Sequence, residues 1–270
     1  MSVRYLKGHG TENDFVLLPD LDGRLDLSAE LVRALCDRRA GLGADGVLRV
    51  VRAGDEWFMD YRNADGSVAE MCGNGVRVFA RYLADAGLAE PGELTVGTRG
   101  GPKRVWVGAT GDVTVDMGEP ELPDRGPVVG GVPGTAVSMG NPHVVVPVTS
   151  QAELTGLDLS RAPEVIPGLP AGQNVEFVLR RGPRALALRV HERGVGETRS
   201  CGTGVCAAVV ATVAADGQGR GEAWTVDVPG GRLTVEWAEA GPVLLTGPAV
   251  LVARGELSED WVSSVGQDRR

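Results

Sequence analysis

The sequence has little lysine, no closely paired cysteines and no long apolar run, and each shortage narrows what the chain can do. Only Lys7 and Lys103 are lysines among 27 basic residues; the rest are arginine. A pyridoxal-phosphate enzyme needs a Schiff-base lysine. Lys103 lies in Arg-Gly-Gly-Pro-Lys-Arg, which reads as a solvated turn, and Lys7 stands beside Gly8 near the start of the chain. Both are poor candidates. Four cysteines occur, at 36, 72, 201 and 206. None forms Cys-x-x-Cys, and no Cys/His cluster has zinc-ligand spacing, so no metal is expected. The longest mostly apolar run, residues 202–215, is short of the roughly 20 residues that span a bilayer. Residues 1–14 lack the apolar core of a signal peptide. A cytoplasmic protein with reduced thiols and no membrane attachment is the expectation. The formal net charge of −9 argues against a nucleic-acid partner.

What is present fits a soluble globular chain. Hydrophobic residues make up 43% and charged residues 23% of 270, enough apolar surface to offset chain entropy. At roughly 150 residues per domain, one large or two small domains fit. Glycine is abundant, 40 residues, about twice the usual share. It has no Gly-X-Y period, so it marks tight turns and close backbone approaches.

The chain reads as two copies of one unit. Met71-Cys72-Gly73-Asn74-Gly75-Val76 resembles Ser200-Cys201-Gly202-Thr203-Gly204-Val205 at an offset of 129. Leu94-Thr95-Val96 through Gly101 matches Trp224-Thr225-Val226 through Gly231 at 130, and Met117-Gly118 matches Thr246-Gly247 at 129. Asn13-Asp14-Phe15-Val16 aligns with Asn141-Pro142-His143-Val144 at 128. Four matches in order at a near-constant offset point to duplication.

The pattern predicts a strand at 5–18 and its copy at 136–148. A helix is expected over 28–38, with Ser28 as N-cap and Leu31, Val32 and Leu35 on one face. Strands follow at 47–51 and 56–61, mirrored at 175–179 and 186–192. Each Cys-Gly-x-Gly turn opens a helix, 76–86 and 205–215, and Val/Thr-rich hairpins close each copy. Pro/Gly-rich 121–134 reads as a linker. The expected fold is α+β: two pseudo-symmetric domains, 1–120 and 121–270, each a largely antiparallel sheet wrapped around a central helix, with an active site in the cleft between them. The tail after Leu251 has no counterpart in the first copy and is expected to pack back on the first domain.

Cys72 and Cys201 each precede a Gly-x-Gly turn at a helix start. Unpaired N–H groups and the positive dipole end lie there, which should depress a thiol pKa and bind an anion. One thiol on each side of a carbon would suit inversion: one removes a proton, the other delivers one. Cys36 and Cys206 sit on apolar helix faces and read as small buried hydrophobes. The Gly turns could instead hold a phosphate, as in an anion- or nucleotide-binding protein, although neither has a P-loop lysine.

Six segments carry a family resemblance: Lys7-Gly8-His9-Gly10-Thr11-Glu12-Asn13-Asp14-Phe15, Asn63-Ala64-Asp65-Gly66-Ser67, Met71 to Gly75, Gly140-Asn141-Pro142-His143, Asn174-Val175-Glu176-Phe177-Val178, and Glu192-Arg193-Gly194-Val195-Gly196-Glu197-Thr198 through Gly204. The chain resembles the diaminopimelate epimerases, cofactor-independent isomerases of amino-acid biosynthesis that use two cysteines. The resemblance implies Cys72 and Cys201 as the acid/base thiols. It implies Asn13, Asn63, Gly73, Asn74, Asn141, Asn174, Glu192, Arg193, Gly202 and Thr203 as substrate-binding, and His143 and Glu192 as tuning the thiols. It further implies a small amino-acid substrate, no cofactor, a homodimer, and epimerisation of LL-2,6-diaminopimelate to the meso form for lysine and cell-wall synthesis. A racemase or isomerase of the same fold acting on another amino acid is the alternative. The chain departs from the family pattern at Gly46, where glutamine is common, and at Thr11-Glu12, where Leu-Gly is usual.

Overall fold

The computed structural model describes residues 3–108 and 111–265. The chain divides into two compact units, Met1–Val115 with Pro248–Arg270, and Asp116–Gly247.

The first unit runs β1 (Val3–Gly10), β2 (Asn13–Pro19), α1 (Ala29–Cys36), β3 (Gly46–Ala53), β4 (Glu56–Asn63), α2 (Gly73–Asp85), β5 (Gly92–Gly97), β6 (Lys103–Val107) and β7 (Asp112–Asp116). These strands lie side by side in sequence order, and the tail strand Val250–Leu257 pairs antiparallel with β1. Two joints are parallel, β2 with β3 and β4 with β5. Parallel neighbours need a crossover, and α1 and α2 supply them. The helices cover opposite faces of the sheet, so Phe15, Val16, Leu17 and Leu18 are all buried in succession. Val16, Leu18 and Val47 pack with Leu31, Val32 and Leu35 of α1. α2 lies on β1 to β4 and buries Val76, Phe79 and Leu83. The Ser28 side chain caps α1 by accepting from the Leu31 N–H at 3.2 Å.

The second unit opens with β8 (Val128–Val129) and β9 (Val132–Pro133), followed by β10 (Thr135–Ser138), β11 (Pro142–Val148), α3 (Gln151–Gly156), β12 (Val165–Ile166), β13 (Asn174–Gly182), β14 (Ala185–Glu192) and β15 (Gly196–Thr198). It continues through α4 (Gly202–Asp216), β16 (Ala223–Val228), β17 (Gly231–Trp237) and β18 (Val243–Pro248). The main sheet is ordered β10-β11-β13-β14-β16-β17-β18. Its pairing senses repeat those of the first unit: antiparallel, parallel, antiparallel, parallel, then two antiparallel joints. α3 and α4 occupy the crossovers that α1 and α2 occupy in the first unit. α4 is apolar all round, as a helix enclosed by its unit must be, and packs on β10, β11, β13, β14 and β17.

Three expectations need correction. The run 5–18 is two strands, because Thr11 and Glu12 both adopt positive φ, 50° and 59°, and reverse the chain. The run 136–148 likewise breaks at the Met139–Asn141 turn, closed by a Met139 N–H to Asn141 carbonyl bond. The stretch 121–134 is not a bare linker: Glu121 bridges Ser138, and β8 joins β9 and β12 in a small separate sheet.

Gly46 begins β3 under a tight roof. A Cβ there would lie 2.6 Å from the Arg62 carbonyl oxygen and 2.7 Å from the Tyr61 ring. The absence of a side chain is therefore a packing requirement in this chain. Gly46→Ala should destabilise the fold by about 1–3 kcal/mol, as overpacking does, measured as a lower urea midpoint with an unchanged m value.

Candidate active site

α2 and α4 start on cysteine in the same way. Cys72 (φ −140°, ψ 119°) and Cys201 (φ −120°, ψ 112°) are extended N-cap residues. Gly73-Asn74-Gly75 and Gly202-Thr203-Gly204 form the first turns, so Gly73, Asn74, Gly202 and Thr203 present backbone N–H groups where an anion is favoured.

In the first unit the Cys72 thiol donates to Asn13 Oδ1 at 3.6 Å, and Asn74 Nδ2 donates to the same oxygen at 3.1 Å. The other end of the Asn13 amide donates to Asp45 Oδ2 at 2.8 Å. Behind this stands an ion cluster. Arg38 binds both Asp14 and Asp45, and Lys7 lies 2.6 Å from Asp14. Burial opposes ionisation of Asp14, but the Arg38 and Lys7 hydrogen bonds outweigh it and hold the carboxyl at about 2. Asn63 uses its Nδ2 on Ser67 Oγ at 3.0 Å, within the 63–67 turn.

In the second unit a hydrogen-bonded chain leads to Cys201. His143 Nδ1 lies 2.7 Å from Glu176 Oε1, and His143 Nε2 lies 3.0 Å from Asn141 Oδ1. Asn141 Nδ2 donates to Thr203 Oγ1 at 3.4 Å, which is 3.5 Å from Cys201 Sγ. His143 and Glu176 are wholly buried. The Cys201 thiol also lies within hydrogen-bonding reach of Glu192, whose carboxylate accepts from the Thr198 hydroxyl. Gly204 is required here: a Cβ would sit 2.6 Å from Glu176 Oε1. Asn174 Oδ1 accepts from the Arg193 N–H at 2.9 Å. The Arg193 side chain is exposed, its stem lies against Gly172, and its guanidinium has no ion-pair or hydrogen-bond partner among the described residues.

The expectation of a depressed pKa fails at Cys201. Burial pushes this thiol well above its ordinary value, and the Glu192 and Glu176 carboxylates push it further. Thr203 and the Gly204 N–H favour the thiolate but do not offset those effects. Burial likewise raises the Glu192 carboxyl, with the Glu176 charge adding to it. Cys36, within the α1 core, is raised to about 11 by burial, and Cys206 is wholly buried in α4.

Two residues were not singled out from the sequence. Glu176 is an acid inside the otherwise apolar run Val175–Leu179, and that mismatch was its signal. Asp45 sits in the Gly-rich loop 41–46, where an acid reads as ordinary turn chemistry. Among the described residues no three His, Cys, Asp or Glu side chains gather as a metal site, and no helix is long and apolar enough to cross a membrane.

The family model described as diaminopimelate epimerase matches residues 5–123 and 135–252. The chain belongs to the diaminopimelate epimerase family. A relative of that name from Streptomyces coelicolor is 54% identical over 97% of this chain and 98% of its own. Another from Rhodococcus jostii is 52% identical over 95% and 98%, and one from Thermobifida fusca 52% over 94% and 98%. Among solved structures, a Bacillus anthracis PhzF-family phenazine biosynthesis protein superposes with a TM-score of 0.75 at 17% identity, covering 96% of this chain and 99% of that one. A hydroxyproline epimerase from Agrobacterium vitis gives 0.67 at 16% identity, covering 96% and 93%. These likenesses show that this diaminopimelate epimerase family member shares their fold.

The position of Glu192 beside the raised Cys201 thiol makes a test. Glu192→Gln removes a negative charge that disfavours the thiolate. The midpoint for Cys201 alkylation, followed by mass spectrometry across pH, should therefore fall by about a unit or more, while that of Cys36 stays put.

Proposed function

We propose that the chain epimerises LL-2,6-diaminopimelate to meso-diaminopimelate without a cofactor, with Cys72 and Cys201 as its two proton carriers. The observation that carries this reading is the matched pair: one thiol at the first turn of the equivalent crossover helix in each copy. Inversion breaks the Cα–H bond, gives its proton to a thiolate, and forms a new Cα–H bond on the opposite face with the proton of a thiol. The electron pair left on carbon delocalises into the adjacent carboxylate. First-turn N–H groups at Gly73-Asn74 and Gly202-Thr203 would stabilise the extra charge as oxyanion donors do. The pair must hold one proton between them when it reacts: the thiol that enters as thiolate takes the Cα proton, and the other gives up its own. Each turnover exchanges their protonation states, and Glu192, within hydrogen-bonding reach of Cys201, stands ready to take that thiol's proton when Cys201 enters as the base.

The remaining residues hold the substrate. The unpartnered Arg193 fork suits the distal carboxylate, with Asn174 fixing its backbone. Asn13, Asn63 and Asn141 offer amides to the polar ends of the substrate. We further read the enzyme as a cytoplasmic homodimer serving lysine and cell-wall precursor synthesis.

Incubation with LL-diaminopimelate in D₂O tests the reaction. Deuterated meso product is expected. No exchange on diaminopimelate, with exchange on another amino acid, would instead assign a different substrate. Cys72→Ala and Cys201→Ala should each abolish inversion, and the double mutant should lose no more, because the two act as one unit. Either single variant turning over at a near-native rate would end the two-thiol scheme.

Arg193→Leu removes a charge-assisted bond of roughly 1.5–3 kcal/mol. It should lower kcat/KM on the order of 10- to 150-fold, with Arg193→Lys recovering only part. Native kcat/KM in Arg193→Leu would mean that the substrate carries no distal carboxylate there.

A further inference from the structure

Asp45 ties together two of the segments that carry expected substrate residues in the first unit, those of Asn13 and Asn63. Its Oδ2 accepts from Asn13 Nδ2 at 2.8 Å and from the Asp14 N–H at 3.1 Å. Its Oδ1 accepts from Arg38 Nη2 at 2.7 Å. The backbone is tied as well: the Asp45 N–H donates to the Asp14 carbonyl at 2.9 Å, and the Asp45 carbonyl accepts from the Ala64 N–H at 3.2 Å, next to Asn63. Arg38 reaches across to Asp14, and Lys7 holds Asp14 from the other side. Every hydrogen-bonding group of Asp45 is thus committed to holding one geometry.

That geometry has a chemical consequence at Asn13. An asparagine amide has two ends of nearly the same shape, and nothing in its size decides which end faces a neighbour. An ionised carboxylate only accepts, so the amide N–H₂ must face Asp45. The oxygen is then turned toward Asn74 and Cys72, and the thiol meets an acceptor 3.6 Å away. An acceptor favours the S–H form, whereas a reversed amide would present N–H and favour the thiolate.

We propose that Asp45 is a positioning residue for the reaction: it fixes the Asn13 amide with its oxygen toward Cys72, and so sets the hydrogen bond that the thiol makes between turnovers. The inference rests on the two-thiol reading for its meaning in catalysis. Other charged and titratable groups near the cluster are Lys7 and His9 on β1, Glu12 in the following turn, Asp14 on β2, Cys36 at the end of α1, Arg38 beyond it, and Arg77 within α2. All of them are present in both variants compared below, so they do not distinguish the two.

Two variants separate amide orientation from simple loss of charge. Asp45→Ala removes both the charge and the acceptor, freeing the Asn13 amide to reverse. Asp45→Asn removes the charge but keeps an oxygen that Asn13 Nδ2 can donate to. The readout is the pH midpoint for alkylation of Cys72 by iodoacetamide, resolved by mass spectrometry with Cys201 as internal comparison. In Asp45→Ala the Cys72 midpoint should fall by about one unit, the exchange of a hydrogen bond for its opposite. In Asp45→Asn it should stay close to that of the unaltered protein. Cys201 should not move in either.

The kcat for deuterium exchange should fall about tenfold or more in Asp45→Ala and be largely restored in Asp45→Asn. The Asp45 side chain is 42% exposed, so both proteins should fold, and thermal melts verify it. Equal midpoint shifts in the two variants would reduce Asp45 to a bare charge. No shift in Asp45→Ala would mean that the amide is held without it. Either result overturns the proposal. Alkylation needs no turnover, so absence of epimerisation in the unaltered protein would refute the functional reading separately.

Discussion

A helix that starts within a folded unit must satisfy or exploit the N–H groups of its first turn, and both central helices of this chain start on a cysteine. Much of the architecture follows from that requirement. Each sheet contains parallel joints, a parallel joint demands a crossover, and the crossover helix must begin next to strand ends. Side chains from those strands and the turn before β11 therefore surround the helix start: Asn13 of β2 at Cys72, and Asn141, His143, Glu176 and Glu192 at Cys201. The approach is close enough that Gly204 has no room for a methyl group.

The dipole of a helix start is worth only about a kcal/mol or so, and Cys201 shows it losing. Burial of a thiolate and two carboxylates nearby are larger effects of the opposite sign. A sequence motif places a cysteine at a helix N-terminus, but it does not state how much water or which charges the fold leaves beside it. The protonation of such a thiol is a property of the enclosure, and here the enclosure holds the proton on sulfur.

The same distinction separates what could be read from residues and what could not. The duplication, the helix starts and the Ser28 cap were legible because short-range chemistry dictates them: Gly-x-Gly turns, a hydroxyl before an apolar stripe, and a repeated order of segments. The β1–β2 turn was not, because Thr11 and Glu12 are poor occupants of the left-handed region and lack the Asn-Gly signature of a tight hairpin. The small sheet of β8, β9 and β12 was hidden because its two-residue strands are too short to show a period, and their Pro/Gly-rich surroundings read as a linker. In the site, residue identities were visible through motifs, whereas the roles of Asp45 and Glu176 depend on partners 32 and 33 positions away, a separation no local pattern reports.

Duplication alone would yield two thiols in like surroundings, yet the two sites of this chain are not alike. Strand register shows where the copies diverge. His143 pairs with Asn174 as Phe15 pairs with Gly46, so His143 occupies the position of Phe15, and Glu176 that of Leu48. Counting along the helices from the two cysteines places Cys206 where the first copy has Arg77, a wholly buried cation that donates to Thr11 Oγ1. The backbone scaffold is repeated while the charges near each thiol are not: acids gather at Cys201, and apolar residues hold the matching strand positions near Cys72. On the proposed reading, the repeat supplies two helix starts of like geometry, and the substitutions between copies give each thiol its own surroundings: an amide oxygen at Cys72, and a hydroxyl with two carboxylates at Cys201.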